Sequence, residues 1–294
     1  MTPPPDTALP EFVKNLRILR QRLGRKRDPW VPTDFAHYVR NGGLILVLAA
    51  LLILAAVLFL DAPATEWARG LPEAARAPFR FVTRFGKSEW YLVPAGVLGL
   101  VLLAGAWRPV GRRVAAAWTE IGAFCLFVFA AVAGSGLTTD LIKWIVGRSR
   151  PGGYAAGGIL PFAPSASAAP HFSFPPGHAT TAAAAAVAVI LVTRRLSTGV
   201  VVVALAAVVS MSRVVVRAHF PSDIVGGAAV GTLFTVGLAV ALGRTGVAFQ
   251  RLPGGRLVPK TRAIRSVLGR AGGWPRMMEG LGRAFAPGRR ASAP

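Results

Sequence analysis

One cysteine, Cys125, stands in the whole chain, inside an apolar run. A lone thiol excludes an intrachain disulfide framework and a cysteine-based zinc cluster, and it reads as packing. Histidine is almost as scarce, with four residues in 294, and 12 acids face 34 Lys and Arg. With no carboxylate cluster to hold an ion, no metal and no other cofactor is expected. Charged residues make up 16% of the chain, against about 25% in ordinary soluble domains. That shortage excludes a typical soluble globular domain.

The sequence is rich in apolar residues gathered in blocks. They account for 53% of the chain, with a mean hydropathy of +0.51. A bilayer core takes about 20 mostly apolar residues per helix, and six runs approach that length: 44–60, 91–107, 117–141, 179–193, 199–216 and 224–242. The first, LILVLAALLILAAVLFL, has no polar atom outside the backbone. It starts too far into the chain to be a signal peptide. The fourth is short and alanine-rich. The sixth carries Gly227-x-x-x-Gly231, a small-residue pattern that lets helices approach closely in lipid, although such a pattern arises easily by chance in a chain this rich in alanine and glycine. The expected fold is all-α, a polytopic membrane protein of six transmembrane helices, with segments 1–42 and 243–294 flanking a 43–242 membrane domain.

A formal net charge of +22 raises the question of nucleic acid. The charge distribution argues against it. If both termini lie in the cytoplasm, the inner segments (the N-terminal tail, 108–114, 194–198 and the C-terminal tail) hold 8, 3, 2 and 11 Lys and Arg, leaving ten for the other side. That is the positive-inside pattern. No nucleic-acid motif accompanies the charge, so the expected partners are membrane lipids, in the inner (cytoplasmic) membrane. In the N-terminal tail, Phe12, Leu16, Leu19 and Leu23 recur at helical spacing among basic residues. An amphipathic helix on the anionic leaflet and a solvated basic tail both fit. The C-terminal segment reads as a Gly/Pro/Arg-rich tail.

Ionisable groups at span ends are costly and mark function. Three clusters occur: KWIVGRSRP (143–151), PPGH (175–178) and SRVVVRAHFPSD (212–223). The span count puts all three on one face, the outer one. Lys143, Arg148, Arg150 and Arg213 form a cationic surplus that suits phosphate oxygens. Gly177 leads into a helix whose free N–H groups can hold an anion. His178 and His219 would flank that anion, one attacking phosphorus and one protonating the leaving oxygen. Asp223, four residues after His219, could orient its ring as the acid does in a catalytic triad. Asp140 reads as a helix-face partner for Lys143. His37 reads as interfacial, Arg217 as a residue whose head snorkels to lipid headgroups, and His171 carries no role.

At these residues the chain resembles the type 2 phosphatidic acid phosphatase (PAP2) superfamily, whose signature has three parts, K-x6-RP, PSGH and SR-x5-H-x3-D. Lys143-x6-Arg150-Pro151 and Ser212-Arg213-x5-His219-x3-Asp223 match in full, whereas Pro175-Pro176-Gly177-His178 has proline in place of the serine. FGKSEWYLVP (85–94) also looks like the family's entry to its second span. The resemblance implies a metal-independent lipid phosphate phosphatase acting on phosphatidic acid, phosphatidylglycerol phosphate, undecaprenyl diphosphate or a lipid A phosphate. It implies His219 as the nucleophile forming a phosphohistidine, Asp223 orienting it, His178 as general acid, and Lys143, Arg150, Arg213 and the Gly177 N–H as the phosphate cradle. Arg148 and Pro176 stand beside this set as accessory positions. A non-catalytic lipid-phosphate binder and a phosphotransferase using the same residues are the alternatives.

Overall fold

The computed structural model describes residues 10–24, 32–107, 110–153, 172–252 and 256–285. His171 and the side chain of His37 lie outside the described residues. The architecture is helical. In chain order the helices are α1 (Glu11–Gly24), α2 (Pro32–Phe59), α3 (Asp61–Gly70), α4 (Glu73–Val82), α5 (Glu89–Ala104), α6 (Arg112–Val146), α7 (Gly177–Thr193), α8 (Leu196–Val215), α9 (Pro221–Thr245), α10 (Arg262–Leu268) and α11 (Gly273–Phe285). Short 3₁₀ turns cover Thr83–Gly86 and Pro151–Gly153.

Among the described residues, five stretches are long and apolar enough to cross a membrane: Arg40–Phe59, Glu73–Ala104, Arg112–Val146, Leu196–Val215 and Pro221–Thr245. The fourth apolar run forms the 17-residue helix α7. The outward leucines of α2, among them Leu44, Leu51, Leu54 and Leu58, stay exposed. A soluble protein would bury such a stripe; facing hydrocarbon it costs nothing, because every backbone polar group is satisfied within the helix. The protein is an integral, multi-pass membrane protein.

Two compact units are described separately, with α5, α6 and α9 contributing residues to both. In the unit spanning residues 30–93 and 128–238, α7 is the inner helix. Ala179, Ala182, Ala184, Ala185, Ala186 and Ala188 are buried along it. Its small side chains meet the glycines of α9. A β-carbon on Gly231 would come 2.4 Å from the Thr180 carbonyl oxygen, and one on Gly227 would come 3.0 Å from Pro176 Cδ. The Gly227-x-x-x-Gly231 pattern is therefore a real close-packing face.

In the other unit, the segment expected to be a basic tail carries structure. A two-stranded antiparallel hairpin joins β1 (Phe249–Arg251) to β2 (Leu257–Pro259), followed by α10 and α11. Trp118, Leu102, Ala117, Val267 and Met277 form a buried cluster, and the Trp118 indole donates to the Met277 carbonyl at 3.1 Å. Glu120 accepts from the N–H groups of Ala263 and Ile264 at 3.0 and 2.9 Å, a carboxylate at the positive end of α10. In α1, Asn15 donates to the carbonyls of Leu103 and Gly105, while Phe12, Leu16 and Ile18 stay exposed.

Candidate active site

The site is built at helix ends. Chain geometry at each end explains why the three sequence clusters meet. α6 stops where Gly147 takes φ 59° and its N–H closes on the Lys143 carbonyl at 2.8 Å; this left-handed position is one that glycine fills without strain. The chain then turns through Arg148, Ser149 and Arg150. After α8, the backbone N–H groups of Ala218 and His219 both return to the Arg213 carbonyl at 2.9 and 3.2 Å, which fixes His219 beside Arg213. Pro221 opens α9, a first-turn position where a missing N–H costs nothing. Asp223 then reaches back to accept from the Phe220 N–H at 2.9 Å. The His-x3-Asp spacing is thus set by a helix start: the acid serves in the first turn and the histidine lies just before it.

His219 is buried, and its ring hydrogen bonds run through Nδ1. That nitrogen donates to the Ser173 carbonyl at 2.8 Å. The Asp223 carboxylate is 3.8 Å away, beyond hydrogen-bond reach. Asp223 acts through Ser173 instead, whose hydroxyl donates to Asp223 Oδ2 at 2.5 Å. The acid therefore holds the residue whose carbonyl holds the ring. A proton on Nδ1 leaves the lone pair on Nε2, the nitrogen free to attack. Burial and the nearby guanidiniums of Arg213 and Arg150 hold the His219 pKa well below its ordinary 6.5, partly opposed by the Ser173 carbonyl. The ring is neutral and nucleophilic at neutral pH.

Behind the acid lies a buried polar cluster. Arg148 donates through Nη1 to Asp223 Oδ1 at 2.5 Å and to Ser222 Oγ at 2.7 Å, and through Nη2 to Asp61 Oδ2 at 2.8 Å. Asp61 also accepts from the Ser222 N–H at 2.9 Å and hydroxyl at 2.5 Å. Asp61 and Asp223 are each 0% exposed and Arg148 is 3% exposed. Arg148 is thus engaged with two carboxylates and lies over the Phe220 ring at 4.4 Å, rather than reaching for a ligand.

The other cations face the opposite way. Lys143 Nζ would lie 3.6 Å from a β-carbon on Gly177, so the first turn of α7 and this ammonium share one spot. Lys143 also pairs with Asp140 at 2.8 Å, the partner its spacing suggested. Arg213 donates to Thr83 Oγ1 at 2.9 Å. The Nε groups of Arg213 and Arg150 are buried without a hydrogen-bond partner. The charges of Arg213, Lys143 and Arg150 act on His178 and on His219 alike; two histidines 41 positions apart share one set of cations. Pro176 is the N-cap of α7. Its carbonyl takes the Thr180 N–H and hydroxyl, and it offers no donor.

A model of the PAP2 superfamily matches residues 124–245. The lipid A 1-phosphatase of Rhizobium etli is 34% identical over 205 residues, which cover 68% of this chain and 84% of that protein. That of Rhizobium johnstonii is 33% identical over 209 residues, covering 69% and 82%. The chain belongs to the PAP2 superfamily. A crystal structure of a transmembrane PAP2-type phosphatidylglycerolphosphate phosphatase from Bacillus subtilis is 22% identical to it, with a TM-score of 0.47, over 68% of this chain and 93% of that one.

The residues that carry the PAP2 signature here, Lys143, Arg150, Gly177, His178, Arg213, His219 and Asp223, all fall inside the matched span. Three site residues precede it: Asp61, Thr83 and Gly86. Ser173 and Ser222 lie inside it but outside the signature. Sequence carried a signal for two of these five. Asp61 is an ionisable residue directly after the most apolar run in the chain, and Gly86 belongs to FGKSEWYLVP. Ser173, Ser222 and Thr83 are common residue types, and only the fold gives them neighbours.

Proposed function

We propose that this membrane phosphatase removes a phosphate group from a lipid A-type glycolipid, by way of a phosphohistidine on His219 and without a metal ion. The observation that carries the reading is the clamped His219 ring, with Nδ1 on the Ser173 carbonyl and the charges of Arg213, Arg150 and Lys143 acting on it. Two relatives at 33–34% identity, matched over 82–84% of their own length, are lipid A 1-phosphatases, which supports the substrate class. The distribution of Lys and Arg supports cytoplasmic termini and a site on the outer face of the inner membrane.

Lys143, Arg150, Arg213 and the Gly177 N–H bind the phosphate oxygens. His219 Nε2 attacks phosphorus, the nitrogen–phosphorus bond forms, and the bond from phosphorus to the sugar oxygen breaks. His178, whose pKa burial and the charges of Arg213 and Lys143 lower to about 4, takes up a proton once the bound phosphate offsets those charges and delivers it to that leaving oxygen. A water molecule then attacks the phosphohistidine and gives its proton to His178, releasing phosphate and restoring His219. The buried Asp223 side chain is bonded to Arg148, which also bonds Asp61, and to Ser173, whose carbonyl holds the ring. It stabilises the positive charge the imidazole takes on while phosphorylated, as the acid does in a triad.

The test is phosphate release by purified protein in the presence of EDTA. The panel comprises lipid A, phosphatidic acid, phosphatidylglycerol phosphate and undecaprenyl diphosphate. Lipid A is expected to turn over fastest, with acid-labile radiolabel trapped on the wild type and none on His219→Ala. Full activity in His219→Ala would overturn the mechanism, and a strict need for added divalent metal would overturn the metal-free reading.

A further inference from the structure

Asp61 lies 158 positions before His219 and outside the span the family model matches. It is nevertheless fully buried against the same arginine that holds Asp223. We propose that Asp61 is a positioning residue for His219, acting through Arg148 and Asp223. The inference rests on His219 being the nucleophile.

The reasoning starts from the guanidinium. Arg148 presents a rigid planar fork whose donors have fixed directions. With one carboxylate, a fork can swivel about that contact. Here Nη2 is tied to Asp61 and Nη1 to both Asp223 and Ser222, so the plane is pinned at both ends. Ser222 is itself held by Asp61 through its N–H and its hydroxyl. Asp61 thus anchors the first turn of α9, where Asp223 sits, and the cation that bonds Asp223.

Two routes lead from this anchor to the ring. Asp223 Oδ2 takes the Ser173 hydroxyl, and the Ser173 carbonyl takes Nδ1. Arg148 reaches Ser173 a second way, since its own carbonyl accepts the Ser173 N–H at 2.9 Å. Its guanidinium also lies over Phe220, the residue next to His219. Ser173, Asp223 and Phe220 are therefore each in contact with Arg148. Arg148 bonds both acids at once, so when Asp61 loses its charge one end of the rigid fork is released from its fixed direction. Without Asp61 the guanidinium shifts, and Asp223 and Ser173 shift with it.

The experiment is steady-state kinetics of Asp61→Asn, Asp61→Glu, Asp223→Asn and the Asp61→Asn/Asp223→Asn double variant, with His219→Ala as control. All are purified in the same detergent and assayed on the lipid A substrate. Asp61→Asn keeps the size of the side chain and removes its charge. Its kcat should fall roughly 10- to 100-fold, the range for residues that orient a functional imidazole. KM should stay within about 2-fold, because substrate binding is untouched. Asp61→Glu should recover part of the loss. If Asp61 works through Asp223, the double variant should be no slower than Asp223→Asn alone. A purely structural role would lower the yield or melting temperature and leave the kcat of folded protein unchanged.

Wild-type kcat in folded Asp61→Asn overturns the proposal, as does a multiplicative loss in the double variant. If Asp61→Asn does not fold, Ser222→Ala serves in its place; it breaks one link of the anchor, and wild-type kcat there overturns the proposal equally. An active His219→Ala sinks the underlying mechanism instead, so the two failures are distinguishable.

Discussion

Gly86 presses on His178. A β-carbon at position 86 would come 2.8 Å from both Cβ and Cδ2 of the histidine and 2.9 Å from Val209 Cγ1. These distances are far inside ordinary contact, so the imidazole sits where it does only because residue 86 has no side chain. Gly86→Ala should displace the ring of the proposed general acid. A shift of about 1 Å in a catalytic group costs on the order of 100-fold, so kcat on the lipid substrate should drop by roughly 10- to 100-fold. Gly136→Ala is the control, since nothing lies within 4 Å of that position. Equal activity in the two variants would show that His178 tolerates displacement and is not the acid.

Ser173 separates direct from relayed orientation of His219. Ser173→Ala keeps the carbonyl that accepts Nδ1 and removes the hydroxyl that binds Asp223. The buried carboxylate loses one of its donors, a cost of about 1–2 kcal/mol, equivalent to roughly 5- to 30-fold in rate if it appears fully in the transition state. Kinetics should show kcat lowered by that amount, well short of the loss in His219→Ala. An unchanged kcat would mean that Asp223 reaches the ring directly during turnover, with the 3.8 Å gap closing when substrate binds.

The fold class was legible because hydrocarbon imposes a simple rule on sequence: long apolar runs, with charge at their ends. The site was legible to the same degree, since Lys143, Arg150, Arg213, His178 and His219 are costly residues in a greasy chain. Two kinds of information were not on the surface of the sequence. Contacts between ordinary residues, such as the Ser173 carbonyl with His219, exist only after folding. The role of Arg148 also inverted. Read from sequence it is one more cation among four, but burial between Asp61 and Asp223 turns it inward. The C-terminal segment was misjudged for a third reason. Its core residues Val267 and Met277 are few and widely spaced among arginines, so composition resembles a tail, while packing on Trp118 and Leu102 makes it structured.

The pH dependence follows from His219. In the proposed mechanism the neutral imidazole is the nucleophile and the protonated ring is inactive. Burial and the charges of Arg213 and Arg150 push its pKa down from 6.5, so the inactive form accumulates only at lower pH. The acid limb of kcat/KM, which reports the free enzyme, should therefore lie below pH 6.5. Arg213→Gln removes one of the cations responsible and should move that limb to higher pH. The midpoint is the quantity to read rather than the plateau height, because Arg213 is also a proposed phosphate ligand. Comparing both proteins on one lipid cancels the phosphate's own ionisation. A limb that stays in place would mean that the Arg213 charge does not act on the ring.

Pro176 sets chemistry against packing. It is buried at the N-cap of α7, with its Cδ at the position where a β-carbon on Gly227 would be 3.0 Å away. Pro176→Ser restores the family's N–H and hydroxyl beside the Gly177 cradle. One charge-assisted hydrogen bond contributes roughly 1.5–3 kcal/mol, so kcat/KM should rise by about 10- to 100-fold if the new donor meets phosphate in the transition state. The same change removes ring methylenes from a buried contact at about 0.8 kcal/mol each and frees a backbone dihedral that proline held fixed. The melting temperature should therefore fall while activity rises. A serine variant with unchanged kcat/KM and lowered stability would show that the donors at 176 point away from phosphate, and that Lys143, Arg150, Arg213 and the Gly177 N–H already saturate its oxygens.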